Sequence, residues 1–337
     1  MTSWLPPMLT PEVRERINRR LVEMYERHRH ADAEVASYYV SGQGYVSGDA
    51  AGNAAETFGV ALASMDGETF GAGDADVAFP LQSLSKVFVY GLALEDHGRE
   101  AVHQHVGVEP SGDSFHTISF DERRHIPHNP MVNAGALATT DLVKGADGEE
   151  RLARIVDLLR RCAADDTLAP DEEIFELELA SADRNRATAY LMRGEGMIGD
   201  DVEGTLALYL QQCSVKVSAR DLAVMAASFA NGCVNPVSGE QVLSRRSARD
   251  LLTVMYTCGM YDYAGEWAYT VGIPAKSGVS GGIIGVVPGK LGIAVFSPPV
   301  DLRGNSVRGI KVFEDLSKDL GLHMFGRQDK VDAILKS

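Results

Sequence analysis

The stretch FPLQSLSKVFVYGLALEDHG, residues 79–98, decides the fold that we expect, because it joins a strand-rich region to a helix-rich one. It places Ser83 and Lys86 three residues apart at the start of an apolar helix. A helix repeats about every 3.6 residues, so the two side chains lie on one face, one turn apart. A solvated surface lysine is the ordinary interpretation of this pattern. A catalytic Ser-x-x-Lys pair is the alternative.

A lysine acts as a base only when its pKa is lowered by burial or by a neighbouring cation. The apolar helix indicates burial of Lys86, and a second lysine occurs in PAKSGVSGG, residues 274–282, where Lys276-Ser277-Gly278 precedes a strand-like run. This order of motifs is typical of penicillin-recognising serine enzymes. The sequence contains no Ser-Asp-Asn element between the two motifs. The pair therefore predicts Ser/Lys chemistry and weakens the case for a penicillin-related substrate.

The same stretch also matches G-x-S-x-G around Ser280, the pattern of the nucleophile elbow in α/β-hydrolases. An elbow needs a helix after the serine, whereas GGIIGVVPGKLGIAVF, residues 281–296, indicates strands and a turn. We therefore predict a structural role for Ser280.

Hydrophobic periodicity predicts an α+β fold with strands at both ends of the chain and helices between them. Thr10-Pro11 begins an amphipathic helix, residues 41–56 are a glycine-rich loop, and Asp66-Gly67 marks a hairpin. EWAYTVGIPAKSG, GGIIGVVPG and LGIAVFSPP, residues 266–299, are β-prone. Helices are predicted at 83–97, 131–143, 149–164, 183–194, 201–214, 218–230, 244–258 and 306–320.

Composition excludes several classes of function. The net charge of −15 argues against nucleic acid, and no apolar run approaches the roughly 20 residues that cross a bilayer. The N-terminus lacks an apolar signal core, so we expect a cytoplasmic protein. Neither the histidines nor the cysteines have metal-ligand spacing, so we expect reduced thiols and no metal. The cysteines are Cys162, Cys213, Cys233 and Cys258.

Five further segments occur between and around the two lysine motifs, and together they carry a family resemblance. They are EPSGDSFHTI (109–118), PHNPMVNAGALA (127–138), ELASADRNRATAYLM (178–192), LALYLQQCSV (206–215) and CGMYDYAGEWAYTVGIPAKSGV (258–279). In this order, from about residue 35 to residue 310, the chain resembles the serine-dependent glutaminases. These are β-lactamase-like enzymes that hydrolyse L-glutamine to L-glutamate and ammonia.

The resemblance implies a single catalytic domain over residues 1–337, with a mainly antiparallel sheet from about 30–82 and 259–320 and a helical lobe over about 96–240. It implies no cofactor and a homodimer or homotetramer. It assigns Ser83 as nucleophile, Lys86 as base, and Lys276, Ser277 and Gly278 as supporting residues. The implied substrate-binding residues are Tyr38, Gln82, Ser83, Asn133, Glu178, Asn185, Tyr209, Tyr261 and Val279.

Two positions depart from the family pattern. The family's early VADYIP segment is replaced by VASYYVSGQG, residues 35–44, so Tyr38 matches the tyrosine without the proline that follows it. His116 stands where the family usually has asparagine.

The residue types suit free glutamine, which presents an ammonium, a carboxylate and an amide. Glu178 matches the ammonium, while Asn133, Asn185 and Tyr209 can donate to the carboxylate without burying another charge. The backbone N–H groups of Ser83 and Val279 would bind the oxyanion, and Tyr261 would relay a proton.

Taken one at a time, these residues also have structural interpretations. Tyr209 could be a core tyrosine, Asp183 a helix cap, and Tyr261-Asp262 an ordinary turn. Two other functions remain open: a related Ser/Lys amidase or esterase with another substrate, and a non-catalytic glutamine-binding sensor.

Overall fold

The computed structural model describes residues 9–31, 37–46, 56–112 and 117–326. Helices α1 to α12 are Pro11–His28, Ser85–His97, Arg99–Val102, Asn133–Asp141, Gly148–Ala163, Glu172–Ala180, Asp183–Gly194, Val202–Ser214, Ala219–Ala230, Arg245–Cys258, Ala264–Thr270 and Val307–Leu320. Strands β1 to β9 are Tyr38–Val40, Gly44–Val46, Gly59–Ser64, Thr69–Gly73, Phe79–Pro80, Lys216–Val217, Ala275–Ser277, Gly282–Val287 and Leu291–Phe296. Two 3-10 turns, Gln82–Leu84 and Tyr261–Tyr263, lie beside the site described below.

A five-stranded antiparallel sheet has the order β4-β3-β9-β8-β7. Its early strands come from the hairpin predicted around Asp66-Gly67, and β8 and β9 flank the turn predicted within residues 281–296. The register pairs Gly59 with Phe296 across the middle of the sheet. The predicted α+β class with an antiparallel sheet is confirmed.

Helices cover both faces of this sheet. Side chains alternate along a strand, so Ile293 and Val295 pack with α1, α11 and α12, while Ala294 and Phe296 pack with α2, α5, α9 and α10. At Gly292 the chain allows no side chain, because a Cβ atom would lie 2.3 Å from the backbone of α9. Burial on both faces explains why these strands are almost continuously apolar.

A third apolar cluster forms the helical lobe from α4, α6, α7 and α8, with Leu137, Phe175, Met192 and Leu206 among its members. The lobe carries four of the predicted substrate-binding residues on its helices. Among the residues described, none of the helices is both long enough and apolar enough to cross a membrane.

Two local predictions are wrong. The β-prone segment beginning at Glu266 is helical as far as Thr270, because this turn buries Trp267 completely and lets its indole donate to Ile273 O at 2.8 Å. Within the predicted loop at 41–56, Gly44–Val46 forms β2 and pairs with β1. Residues 47–55 of that loop lie outside the described part of the chain.

Helix α6 was not predicted. Phe175, Leu177 and Leu179 alternate with acidic residues, which is a strand-like pattern. A cap decides against a strand, because the Asp171 side chain accepts from Ile174 N at the start of the helix.

Candidate active site

Ser83 and Lys86 meet where the 3-10 turn Gln82–Leu84 passes into α2. Lys86 Nζ lies 3.1 Å from Ser83 Oγ, which is the proximity that the sequence predicted. The Lys86 side chain has no exposed surface, and this burial lowers its pKa to about 8. Gln82, just before the serine, has a φ of 48°, an uncommon value for a residue with a side chain. The turn thus holds the hydroxyl against an amine with a reduced affinity for protons.

Asn133, at the start of α4, extends this contact into the helical lobe. Its Oδ1 atom accepts from Lys86 Nζ at 2.6 Å and from the Tyr209 hydroxyl at 3.4 Å. Its Nδ2 atom donates to Asn185 Oδ1 at 3.0 Å. A continuous hydrogen-bonded chain therefore runs from Ser83 to Asn185, and Tyr209 belongs to it as well as to the apolar core of the lobe.

Glu178 is a buried carboxylate held by two neutral donors. Gln82 Nε2 donates to it at 3.1 Å, and the Tyr39 hydroxyl donates to it at 2.9 Å. The helical geometry of α6 exposes Leu177 and turns Glu178 inward. A carboxylate has about four acceptor positions, so two such donors leave capacity for a cationic ligand.

Tyr261 and Lys276 form a second pair of contacting side chains in the site. Gly259 lets α10 approach β7 closely, since a Cβ atom there would lie only 1.7 Å from Ala275 O. Lys276 Nζ stands 4.2 Å from the centroid of the Tyr261 ring. Burial raises the pKa of the Tyr261 hydroxyl, although the side chain of Ser83 acts in the opposite direction. Burial, and then the charge of Lys86, hold the pKa of Lys276 well below its usual value.

Val279 belongs to a tight turn that packs against the 3-10 turn that carries Ser83. Gly278 N donates to Gly282 O and Gly281 N donates to Gly278 O, both at 2.9 Å. A Cβ atom on Gly278 would lie 3.1 Å from Leu84 in the 3-10 turn. The two turns are therefore in direct contact, and Val279 is 7% exposed.

Of the two early tyrosines, Tyr39 is the one that contacts Glu178, whereas the resemblance assigns Tyr38 to the site. Tyr38 is buried and pairs with Val46 in the β1–β2 hairpin, whereas its neighbour Tyr39 reaches Glu178. The doublet Tyr38-Tyr39 was the only signal for this residue in the sequence, and the family resemblance favoured the first of the pair. Tyr39 also packs edge-on against Tyr45, with ring centroids 5.6 Å apart.

The remaining sequence-predicted features have simpler outcomes. Asp183 is the first residue of α7 rather than its cap, and His116 lies outside the described residues. Within the described ranges, His, Cys, Asp and Glu form no group of three that could bind a metal ion.

Comparison with known sequences identifies relatives over most of the chain. A family model described as Glutaminase matches residues 50–325. A glutaminase of Trichormus variabilis is 56% identical over 270 residues, which are 80% of this chain and 80% of that protein. A glutaminase of Microcystis aeruginosa is 52% identical over 272 residues, covering 81% of this chain and 80% of that protein.

Solved structures show the same similarity. A probable glutaminase, ybaS, superimposes with a TM-score of 0.85 and 34% identity, over 94% of this chain and 99% of that one. Mglu, solved in its tris and glutamate form, has a TM-score of 0.83 and 39% identity, over 94% of this chain and 68% of that one.

Proposed function

Because the chain belongs to the glutaminase family, we propose that it hydrolyses L-glutamine to L-glutamate and ammonia through a glutamyl-serine intermediate. One observation carries the mechanism: the completely buried Lys86 amine lies 3.1 Å from Ser83 Oγ. The α+β fold with a β-lactamase-like sheet is shared with the glutaminase structures. Ser83 is the proposed nucleophile and Lys86 the proposed base.

In the first step, Ser83 Oγ attacks the side-chain amide carbon of glutamine while its proton passes to the neutral amine of Lys86. Lys86 Nζ still donates a hydrogen bond to Asn133 Oδ1. This hydrogen bond orients the lone pair of the Lys86 nitrogen toward Ser83. The C–N bond then breaks and the leaving nitrogen takes a proton, so ammonia departs and a glutamyl ester remains. Water attacks this ester, the same groups return the proton to Ser83, and glutamate is released.

Tyr261 is proposed as the relay that brings a proton to the leaving nitrogen. Burial raises the pKa of its hydroxyl, so the group remains protonated and can donate. This favours Lys86 over Tyr261 as the base, because the lysine amine loses its proton at a much lower pH. A cavity of about 150 Å³ borders Tyr261 and has room for several water molecules.

Substrate recognition is proposed to depend on the charges of free glutamine. Glu178 would bind the α-ammonium, with Gln82 and Tyr39 holding the carboxylate in place. Tyr38 is the early tyrosine that the family resemblance proposes for substrate binding. Three side chains would donate to the substrate carboxylate: Asn133, Asn185 and Tyr209. The oxyanion would lie between the backbone N–H groups of Ser83 and Val279, since their two turns pack together. Lys276, Ser277 and Gly278 would support this arrangement.

The proposed activity is tested by ammonia release from L-glutamine, compared with L-asparagine, γ-glutamyl amides and a β-lactam reporter. We expect turnover of glutamine and none of the β-lactam. Turnover confined to another substrate indicates a related amidase, and binding of glutamine without turnover indicates a sensor. Either result contradicts the proposal.

The mechanism is tested separately with Ser83→Ala. We expect this variant to lose hydrolysis while still binding glutamine, measured by calorimetry. Intact-protein mass spectrometry after rapid acid quench should find one added glutamyl group on the wild type only. Ser228→Ala is the matched control, because Ser228 is a buried serine that bonds Cys162 O and Val224 O away from the site. Full turnover by Ser83→Ala excludes Ser83 as the nucleophile.

We further propose that residues 1–337 act as one catalytic unit in the cytoplasm and assemble as a homodimer or homotetramer. Light scattering after size-exclusion chromatography gives the mass directly. A monomer at micromolar concentration contradicts the proposed assembly and leaves the proposed chemistry untouched.

A further inference from the structure

Four buried side chains lie around the turn at residues 278–281 with polar atoms that have no hydrogen-bond partner among the described residues. They are Ser277, Ser280, Ser297 and Asn305. Ser297 and Asn305 have no exposed surface, and both the oxygen and the nitrogen of the Asn305 amide lack a partner. Buried polar groups in proteins are nearly always hydrogen-bonded, so several unsatisfied groups in one region indicate a bound water molecule or ligand.

Backbone contacts bring these residues together. Ser297 N donates to Gly281 O at 3.0 Å, which continues the pairing of β8 with β9 beyond the strands. A Cβ atom on Gly281 would lie 2.2 Å from Ser297 O, so the turn abuts this segment directly. Ser306 Oγ donates to the same Ser297 O at 2.9 Å, and Asn305 directly precedes Ser306 in the chain. The alternation of β7 directs Ser277 to the face covered by α12.

The chemistry of the four groups specifies the ligand. Three hydroxyls and one carboxamide carry no formal charge, and between them they can donate and accept. Asp301, the carboxylate of the same loop, already accepts from the backbone N–H groups of Arg303 and Asn305. A small neutral molecule that both donates and accepts fits such a set, and buried water has this role in many proteins.

We propose that Ser277, Ser280, Ser297 and Asn305 hold buried water that fixes the 278–281 turn, and that Asn305 is a positioning residue for the Val279 N–H group. The inference rests on the proposed function, in which that N–H binds the oxyanion. Water bonded to both sides ties the turn to the start of α12 and restricts its movement. Loss of the water leaves the substrate-binding side chains in place and displaces only the oxyanion donor.

Asn305→Leu tests both parts, because leucine matches asparagine in size and has no polar atoms. If water fills the site, the variant removes the hydrogen bonds between this water and the Asn305 amide. The variant should then melt at a lower temperature than the wild type. If no water binds the side-chain amide of Asn305, the substitution removes an unsatisfied buried polar group, and the melting temperature should rise instead. We also expect kcat to fall roughly tenfold with KM unchanged, which is less than the loss of a whole oxyanion donor. Ser297→Ala should also lower the melting temperature and kcat, each by less than Asn305→Leu does.

The proposal requires both a lower melting temperature and a lower kcat in Asn305→Leu. A melting temperature at or above that of the wild type overturns the water site, and an unchanged kcat overturns the positioning role. If Asn305→Leu does not fold, Ser297→Ala is judged by the same two criteria. Ser228→Ala is the control for stability alone, since it should lower the melting temperature and leave kcat unchanged. The melting comparison needs no turnover, so failure of the proposed function in the wild type is distinguishable from failure of this inference.

Discussion

Lys276 Nζ packs over the ring of Tyr261, 4.2 Å from its centroid, so the second lysine of the site contacts the proposed relay through the face of its ring. The hydroxyl of the same tyrosine interacts with Ser83. Tyr261 therefore joins the two lysine motifs of the sequence, one through its ring and the other through its oxygen. The two contacts can be separated by mutation, because phenylalanine keeps the first and removes the second.

Tyr261→Phe should lower kcat by about a hundredfold, the lower range for loss of a general acid or base. KM and the melting temperature should change little, since the ring still packs against Lys276. Ammonia release and thermal melting measure these effects. Tyr256→Phe is the control, because the Tyr256 hydroxyl bonds Ala268 O outside the site. Wild-type kcat in Tyr261→Phe removes the relay from the mechanism.

Lys86→Met should reduce kcat by between about a hundredfold and ten-thousandfold, because methionine fills the space and cannot accept a proton. Glutamine binding should persist, since Glu178 and its donors are unchanged. Lys318→Met, at an exposed position of α12, is the control for loss of a lysine elsewhere. Steady-state kinetics with calorimetric binding gives the comparison, and substantial turnover in Lys86→Met identifies another base.

Activity should rise with pH through the titration of Lys86. Below its pKa of about 8 the amine is protonated and cannot take the serine proton, so kcat/KM should fall tenfold for each unit of pH. Initial rates between about pH 6 and pH 9 define this limb, with circular dichroism at each pH to verify that the protein stays folded. A rate that is constant from pH 6 to pH 8, to within about twofold, contradicts a lysine base.

Stability should depend on the same group. In the unfolded chain the Lys86 amine titrates near its ordinary pKa of 10.5, and in the fold near about 8. Between these values the unfolded state binds more protons, so the contribution of Lys86 to stability rises as pH increases through this window. The difference corresponds to roughly 3 kcal/mol. Denaturant unfolding gives the free energy of unfolding of the wild type and of Lys86→Met at about pH 7 and about pH 10. The stability of the wild type relative to the variant should be greater at the higher pH. A difference between the two proteins that is the same at both pH values contradicts a buried titrating amine.

The sequence predicts most of the fold because the periodic signals are strong and agree with one another. Helices such as Asp183–Gly194 and the hairpin at Asp66-Gly67 occur where apolar spacing and turn residues place them. It fails at Glu172–Ala180, where alternating side chains resemble a strand and only the cap and packing of the lobe favour a helix. It fails again around Trp267, because the β propensity of aromatic residues gives way to burial of one indole.

For the site, spacing alone could predict only the pair Ser83 and Lys86, which are neighbours on one helical turn. Glu178, Asn133 and Asn185 come from three different helices, so their proximity depends on tertiary packing that spacing does not encode. Family resemblance indicated these residues. The contact of Tyr39 with Glu178 could not be predicted, because choosing between adjacent tyrosines requires the register of a short hairpin, and a shift of one residue reverses the face of each side chain.

For the early tyrosine of the site, the structure favours Tyr39 and the family resemblance favours Tyr38. One pair of variants distinguishes the two assignments. The structure predicts that Tyr39→Phe weakens glutamine binding, because Glu178 loses a hydrogen bond donated at 2.9 Å to its charged oxygen. Bonds to charged groups contribute about 1.5–3 kcal/mol, so KM should rise by roughly tenfold to a hundredfold with kcat nearly unchanged. Tyr38→Phe is the matched control, with a buried tyrosine in the same hairpin, and should leave KM within about twofold. A larger effect from Tyr38→Phe instead assigns the early tyrosine of the site to the residue that the family pattern favoured.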